Sequence, residues 1–165
     1  MCNNFDEIQS YRVTIKSIDV AYGTDQNGNY LIKLPFKIND GYVFVEKFEL
    51  INTGTLFNNI TAVKINCPSM VDAYTYNTDN VITHTLEEIP FLSYIKATGA
   101  GSNLYYKRNI GVNDIGYPIK NYDLDNRMIN INLTDETDTA LTDAQITGWN
   151  LTLLFVDHKA NKDSQ

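Results

Sequence analysis

The last third of the chain carries two segments in which apolar and polar residues alternate with a period of two, and that period restricts them to β-strands. From Arg127 to Thr134, the residues Ile129, Ile131 and Leu133 alternate with Asn130 and Asn132, as a strand with one dry and one wet face requires. Trp149, Leu151, Leu153 and Phe155 repeat the pattern against Asn150 and Thr152. Residues 135–148 between them are too few and too polar for a helical crossover layer. The two strands therefore belong to an antiparallel all-β domain whose partner strands lie near one another.

The same alternation recurs upstream. Residues 12–22 are apolar at Val13 and Ile15 and then at Ile18, Val20 and Tyr22, a change of parity at Ser17 that predicts a bulge. Residues 25–29 supply turn formers that tolerate positive φ. Tyr30, Ile32, Leu34, Phe36 and Ile38 then share a face opposite Lys33 and Lys37. These two segments are expected to form a hairpin, with Pro35, which lacks a backbone donor, marking an edge strand or a bulge. Further strands are predicted over residues 42–51, 60–67 and 104–108. Residues 70–76 and 81–86 read as a second hairpin around the turn formers 77–80, and 91–96 as a short strand or turn. About eight principal strands at short spacing, with Gly, Asn and Asp at the joints, predict an antiparallel β-sandwich, and specifically a single jelly roll. Residues 1–165 form one such domain, with short polar termini at 1–10 and 159–165.

A chain of 165 residues buries roughly 70% of its unfolded surface, enough for a core without disulfides or metal. Cys2 and Cys67 cannot make a disulfide framework. Cys67 shares parity with Val63 and Ile65 and reads as a buried hydrophobe in a reducing compartment. Residues 1–8 lack the basic and apolar regions of a secretory signal, and no apolar run approaches the ~20 residues needed to span a bilayer. The net charge is −7 and the basic residues are scattered, apart from Lys107-Arg108. A phosphate backbone demands a basic stripe, so nucleic-acid binding is not expected.

Catalytic chemistry finds little support. The two histidines, His84 and His158, fall short of the several-histidine metal site of a cupin. Cys67 has no local signature of a protease nucleophile. Asp25, Asn27 and Asn29 imitate the start of a calcium loop, but its glycine is misplaced and Phe36 stands where a bidentate glutamate belongs. Glu87-Glu88 and the acidic run Asp135, Glu136 and Asp138 read as solvated loop carboxylates. Gly99 and Gly101 lack the rest of a phosphate-binding loop. No catalytic, cofactor or metal site is expected, and the chain is not read as an enzyme.

The eleven tyrosines are the residues with functional weight, because tyrosine joins a rigid apolar ring to a hydrogen-bonding tip and is enriched at interface centres. Tyr74 and Tyr76 share a strand face near a loop, and Tyr105, Tyr106, Tyr117 and Tyr122 gather around residues 109–117. These six are the expected protein-interface residues. The loop 109–117 and the connection 135–148 are expected on the surface, with Tyr117 exposed and Trp149 buried.

The asparagine-arginine pair at Asn126-Arg127, the alternating isoleucines, the acidic turn and the closing Trp149-Asn-Leu-Thr-Leu-Leu-Phe155 together resemble the C-terminal half of the small single jelly-roll proteins in the capsids of large icosahedral double-stranded DNA viruses. The resemblance implies a minor capsid protein linking capsomers, or a penton at the fivefold vertices. It further implies a location in the virion after assembly in the host cytoplasm, with a major capsid protein and other capsid proteins as partners and a homopentamer if the chain is a penton. The alternative reading is a carbohydrate-binding or adhesion sandwich presenting Trp149 and the tyrosines to sugars, although Trp149 has the inward parity of Leu151 and Leu153.

Overall fold

Each run of alternating residues folds with its apolar members inward. In the computed structural model, which describes residues 8–17, 29–38, 41–52, 60–69, 75–76, 82–90, 103–111, 113–114, 116–119, 127–141 and 146–158, the strands are β1 (Ile8–Lys16), β2 (Asn29–Lys33), β3 (Gly41–Asn52), β4 (Ala62–Asn66), β5 (Thr75–Tyr76), β6 (Ile82–Thr83), β7 (Thr85–Pro90), β8 (Asn103–Lys107), β9 (Tyr117–Pro118), β10 (Met128–Asp135) and β11 (Ile146–His158). Ile129, Ile131 and Leu133 of β10 are fully buried, as are Leu151, Leu153 and Phe155 of β11.

The pairing is nested. β1 pairs with β11, β2 with β10, β3 with β8 and β4 with β7, all antiparallel, as in one long hairpin whose tip lies between β4 and β7. Pairing of β11 with β3 and of β10 with β4 then rolls that ribbon into two sheets. One has the order β1-β11-β3-β8, with β9 also on β3, and the other β2-β10-β4-β7. This order is a jelly roll, built on the eight longer strands. β5 and β6 form a separate short antiparallel pair, the centre of the second predicted hairpin.

Among the described residues the first predicted hairpin does not form. β1 and β2 lie in different sheets, each paired with a strand from the far end of the chain. A crossing between sheets lets both dry faces enter one core, a gain that a solvent-backed hairpin would forgo. β1 ends at Lys16, and the continuation predicted over residues 18–22 lies outside the described residues. Ser17 is buried, and its hydroxyl accepts the backbone N–H of Trp149 at 2.9 Å. β2 is the end strand of its sheet and stops at Lys33, two residues before Pro35.

The core between the sheets is tied by aromatic rings that cross it. Trp149 of β11 meets Tyr30 of β2 edge-to-face at 4.8 Å, and Phe155 meets Phe36 at 5.4 Å. Tyr11 of β1 stacks on Phe36 at 4.5 Å. Such pairs add about 0.5–1.5 kcal/mol each to their burial. Cys67 is buried within the same cluster. Among the described residues no helix is long and apolar enough to cross a membrane.

The start of β3 shows how closely the strands approach. A Cβ at Gly41 would collide with the carbonyl oxygen of Val156, and neither group can move without parting β3 from β11. Gly41→Ala is expected to lower stability by about 1–3 kcal/mol, measured by urea denaturation. A loss under a few tenths would show that this end of the ladder is loose.

The acidic run after β10 is structural and not a solvated loop. The Asp135 carboxylate accepts the backbone N–H groups of Thr137 and Thr139 at 2.8 and 2.9 Å. Asp138 takes a positive φ of 66°, a conformation that aspartate tolerates better than most residues. The chain thereby turns back on β10, pairing Ala140 with Thr134 and burying Leu141. The fold-back seats Lys64 of β4, whose ammonium donates to the Asp138 carboxylate and the Glu136 carbonyl, each at 3.0 Å. The first half of the 135–148 connection is therefore packed against the sheet, because a lysine in mid-strand needs an anion and acceptors over it.

Candidate functional site

β7 and β8 are the end strands of their sheets, and their side chains meet in a cleft of about 330 Å³ lined by Glu87, Glu88, Pro90, Tyr106, Lys107 and Arg108. A bulge in β7 aims the site. Ile65 pairs with Glu87 and Asn66 with Thr85, leaving Leu86 as the extra residue. Leu86 and Ile89 can then both be buried although three residues apart, and Glu87 takes the parity of Ile89. An inward-leaning carboxylate is the result.

Glu87 has 23% of its side chain exposed, and the Arg108 guanidinium stands 3.8 Å away, beyond hydrogen-bond range. Burial pushes the Glu87 carboxyl above the usual glutamate range, against the hydrogen bond it accepts from Tyr106 and the positive charge of Arg108. Arg108 is drawn the other way, donating to Asp114 at 3.2 Å. Asp114 also accepts the Gly111 N–H at 2.6 Å. That backbone bond, followed by Arg108, holds its carboxyl below the ordinary range. Nearby, burial and then the Glu87 charge raise the Tyr117 phenol.

Tyr105 and Tyr106 do not share a face. Adjacent strand residues point to opposite faces, so Tyr106 turns inward, 6% exposed and part of the core, while half-buried Tyr105 lies on the outer face with the Lys47 ammonium 5.2 Å from its ring centroid. Tyr106 spends its ring on the core and its hydroxyl on Glu87. Tyr117 in β9 is half-buried against the core, correcting the expectation that it is exposed. Tyr76 pairs with Ile82 at the backbone, and Tyr74 and Tyr122 lie outside the described residues. So do Asp25 and Asn27, Gly99 and Gly101, and the predicted strand or turn at 91–96.

Because Tyr117 is packed, Tyr117→Ala is expected to cost about 1–2 kcal/mol of stability, read from the urea midpoint at constant slope. An unchanged midpoint would mean that its ring contributes nothing to the core.

Among the described residues, no group of three or more His, Cys, Asp and Glu side chains is placed to hold a metal ion. The cleft's chemistry is that of a protonatable carboxyl set between a phenol and a guanidinium. Neither Glu87 nor Asp114 is picked out by its neighbours in sequence. The one local signal was the spacing of Leu86 and Ile89, which only a bulge reconciles with burial of both. Comparison with protein-family models and with curated protein sequences finds no match to this chain.

Proposed function

We propose that this chain is a structural component of an icosahedral viral capsid, acting by shape as a capsomer-linking minor protein or as a penton. The observation that carries the reading is the strand order, β1-β11-β3-β8 over β2-β10-β4-β7, an architecture used by viral capsid proteins as well as by lectins and cupins. Fold alone does not assign function. The choice among these users rests on the resemblance of the last two strands to small capsid jelly rolls. A net charge of −7 favours protein partners over the packaged genome.

The carbohydrate-binding alternative is weakened by the placement of its best residue. Trp149 is 1% exposed and has no face to offer a sugar. In the capsid reading the partners are a major capsid protein and other capsid proteins, the location is the virion, and the role is non-catalytic. Native mass spectrometry of the purified chain, with co-sedimentation against virion fractions, tests it. A homopentamer supports the penton role, and binding to a major capsid protein supports the linking role. A monomer that associates with neither would overturn the proposal.

A further inference from the structure

The two end strands on the flank opposite the cleft hold basic residues and no acidic ones. Residues 8–17 and 29–38 carry Arg12, Lys16, Lys33 and Lys37 without an aspartate or glutamate, in a chain whose 20 acidic residues outnumber its 13 basic ones. β1 and β2 share this flank, since Tyr11 of β1 stacks on Phe36, just past β2, at 4.5 Å. Parity puts Arg12, Thr14 and Lys16 on the outer face of one sheet and Leu31 and Lys33 on the outer face of the other, all of them exposed. Arg12 is engaged by Glu46, whereas Lys16, Lys33 and Lys37 have no acidic partner among the described residues. Between the two edges the core is only half closed: Tyr11, Val13, Ile32 and Phe36 pack against it while partly exposed. Among the described residues β1 pairs only with β11 and β2 only with β10, so each strand leaves one row of backbone N–H and C=O groups outside the ladder.

We propose that the free edge of β1 docks an extended acidic segment of a partner protein, which adds to the β1-β11-β3-β8 sheet as a further strand. β1 suits this role better than β2. It offers nine residues, with Tyr11, Val13, Thr14 and Ile15 among them and no proline, while β2 has five and stops short of Pro35, which has no N–H to give. An added strand would lay its inward side chains over Tyr11 and Val13 and its outward ones beside Arg12, Thr14 and Lys16, so the segment that fits alternates apolar and acidic residues. Lys33 and Lys37 extend the positive field across the flank. Lysines on end strands also guard against aggregation. They do so by rejecting neutral and basic strands, the β1 edge of a second copy included, and the same charges admit an acidic one. A nucleic acid would meet the cations but leave the apolar seam and the free backbone groups unused. Nothing in this surface depends on the chain belonging to a capsid.

Amide hydrogen exchange of the full chain, with a capped peptide that alternates valine and aspartate and matches the nine residues of β1, tests the edge. The outward β1 amides are expected to gain protection saturably, and the gain should shrink as NaCl rises from about 50 mM to about 500 mM. A peptide with lysine in place of aspartate should give none. Lys16→Glu should weaken binding of the acidic peptide by about two- to fivefold, and the triple variant with Lys33→Glu and Lys37→Glu should prefer the lysine peptide. All three side chains are exposed, so the fold is retained, and unchanged protection of β11 verifies this. No gain in β1 protection, an equal gain from both peptides, or an unaltered preference in the triple variant would overturn the proposal. So would displacement of the peptide by a thymidine oligonucleotide, which would assign the flank to nucleic acid. A concentration-dependent dimer lost in the triple variant would overturn it in favour of a second copy.

Discussion

Truncation of Trp149 to alanine is expected to cost roughly 3–5 kcal/mol of fold stability, the largest loss of any single side chain considered. The indole is 1% exposed, contacts Tyr30 of the opposite sheet edge-to-face, and is the largest fully buried group. A cavity at this point removes contacts from both sheets, which cannot collapse onto it without slipping the β1-β11-β3 ladder. Trp149→Phe should cost less, about 1–2 kcal/mol, because the indole Nε1 is buried without a hydrogen-bond partner and phenylalanine deletes that orphan donor along with some volume. Urea denaturation of both variants measures the difference. Equal losses would mean that the indole N–H is hydrogen-bonded in solution and that its loss, not the lost volume, sets the cost.

The second large effect is expected at Lys64. Its side chain is 6% exposed and its ammonium is 3.0 Å from Asp138. Lys64→Met keeps the length and removes the charge, leaving the Asp138 carboxylate and the Glu136 carbonyl without their cation, at a cost of roughly 3 kcal/mol. Adding Asp138→Asn should recover part of that loss, since asparagine is neutral and tolerates the positive φ at this position. Losses that simply add in the double variant would indicate that the two residues stabilise the fold independently.

Burial was largely legible from the alternating pattern. The inward residues of β10 and β11, the ring of Trp149 and the thiol of Cys67 all follow from parity, because a strand with one buried face has no other way to place its side chains. Tyr105 and Tyr106 are neighbours in sequence yet lie on opposite faces of β8, because consecutive strand residues cannot share a face. Glu87 reads as a solvated carboxylate because spacing alone does not show that it faces a cleft, and the bulge at Leu86 that turns it inward depends on Ile65 and Asn66 of β4. The acidic run after β10 looked like an open loop because its partner, Lys64, is distant in sequence.

What the amino-acid sequence determined by itself is the class: local period-two alternation, short strands and turn residues at the joints commit the chain to an antiparallel sandwich whatever the pairing. The pairing was decided only in three dimensions. Alternation makes every strand equally suited to any neighbour, so nothing local distinguishes a β1-β2 hairpin from the nested ribbon of β1 with β11 and β2 with β10. The choice is made when all the dry faces must enter one core together. The same step brings Glu87 of β7 together with Tyr106 of β8 and the adjoining Arg108 in one cleft, through contacts that no window of the sequence contains.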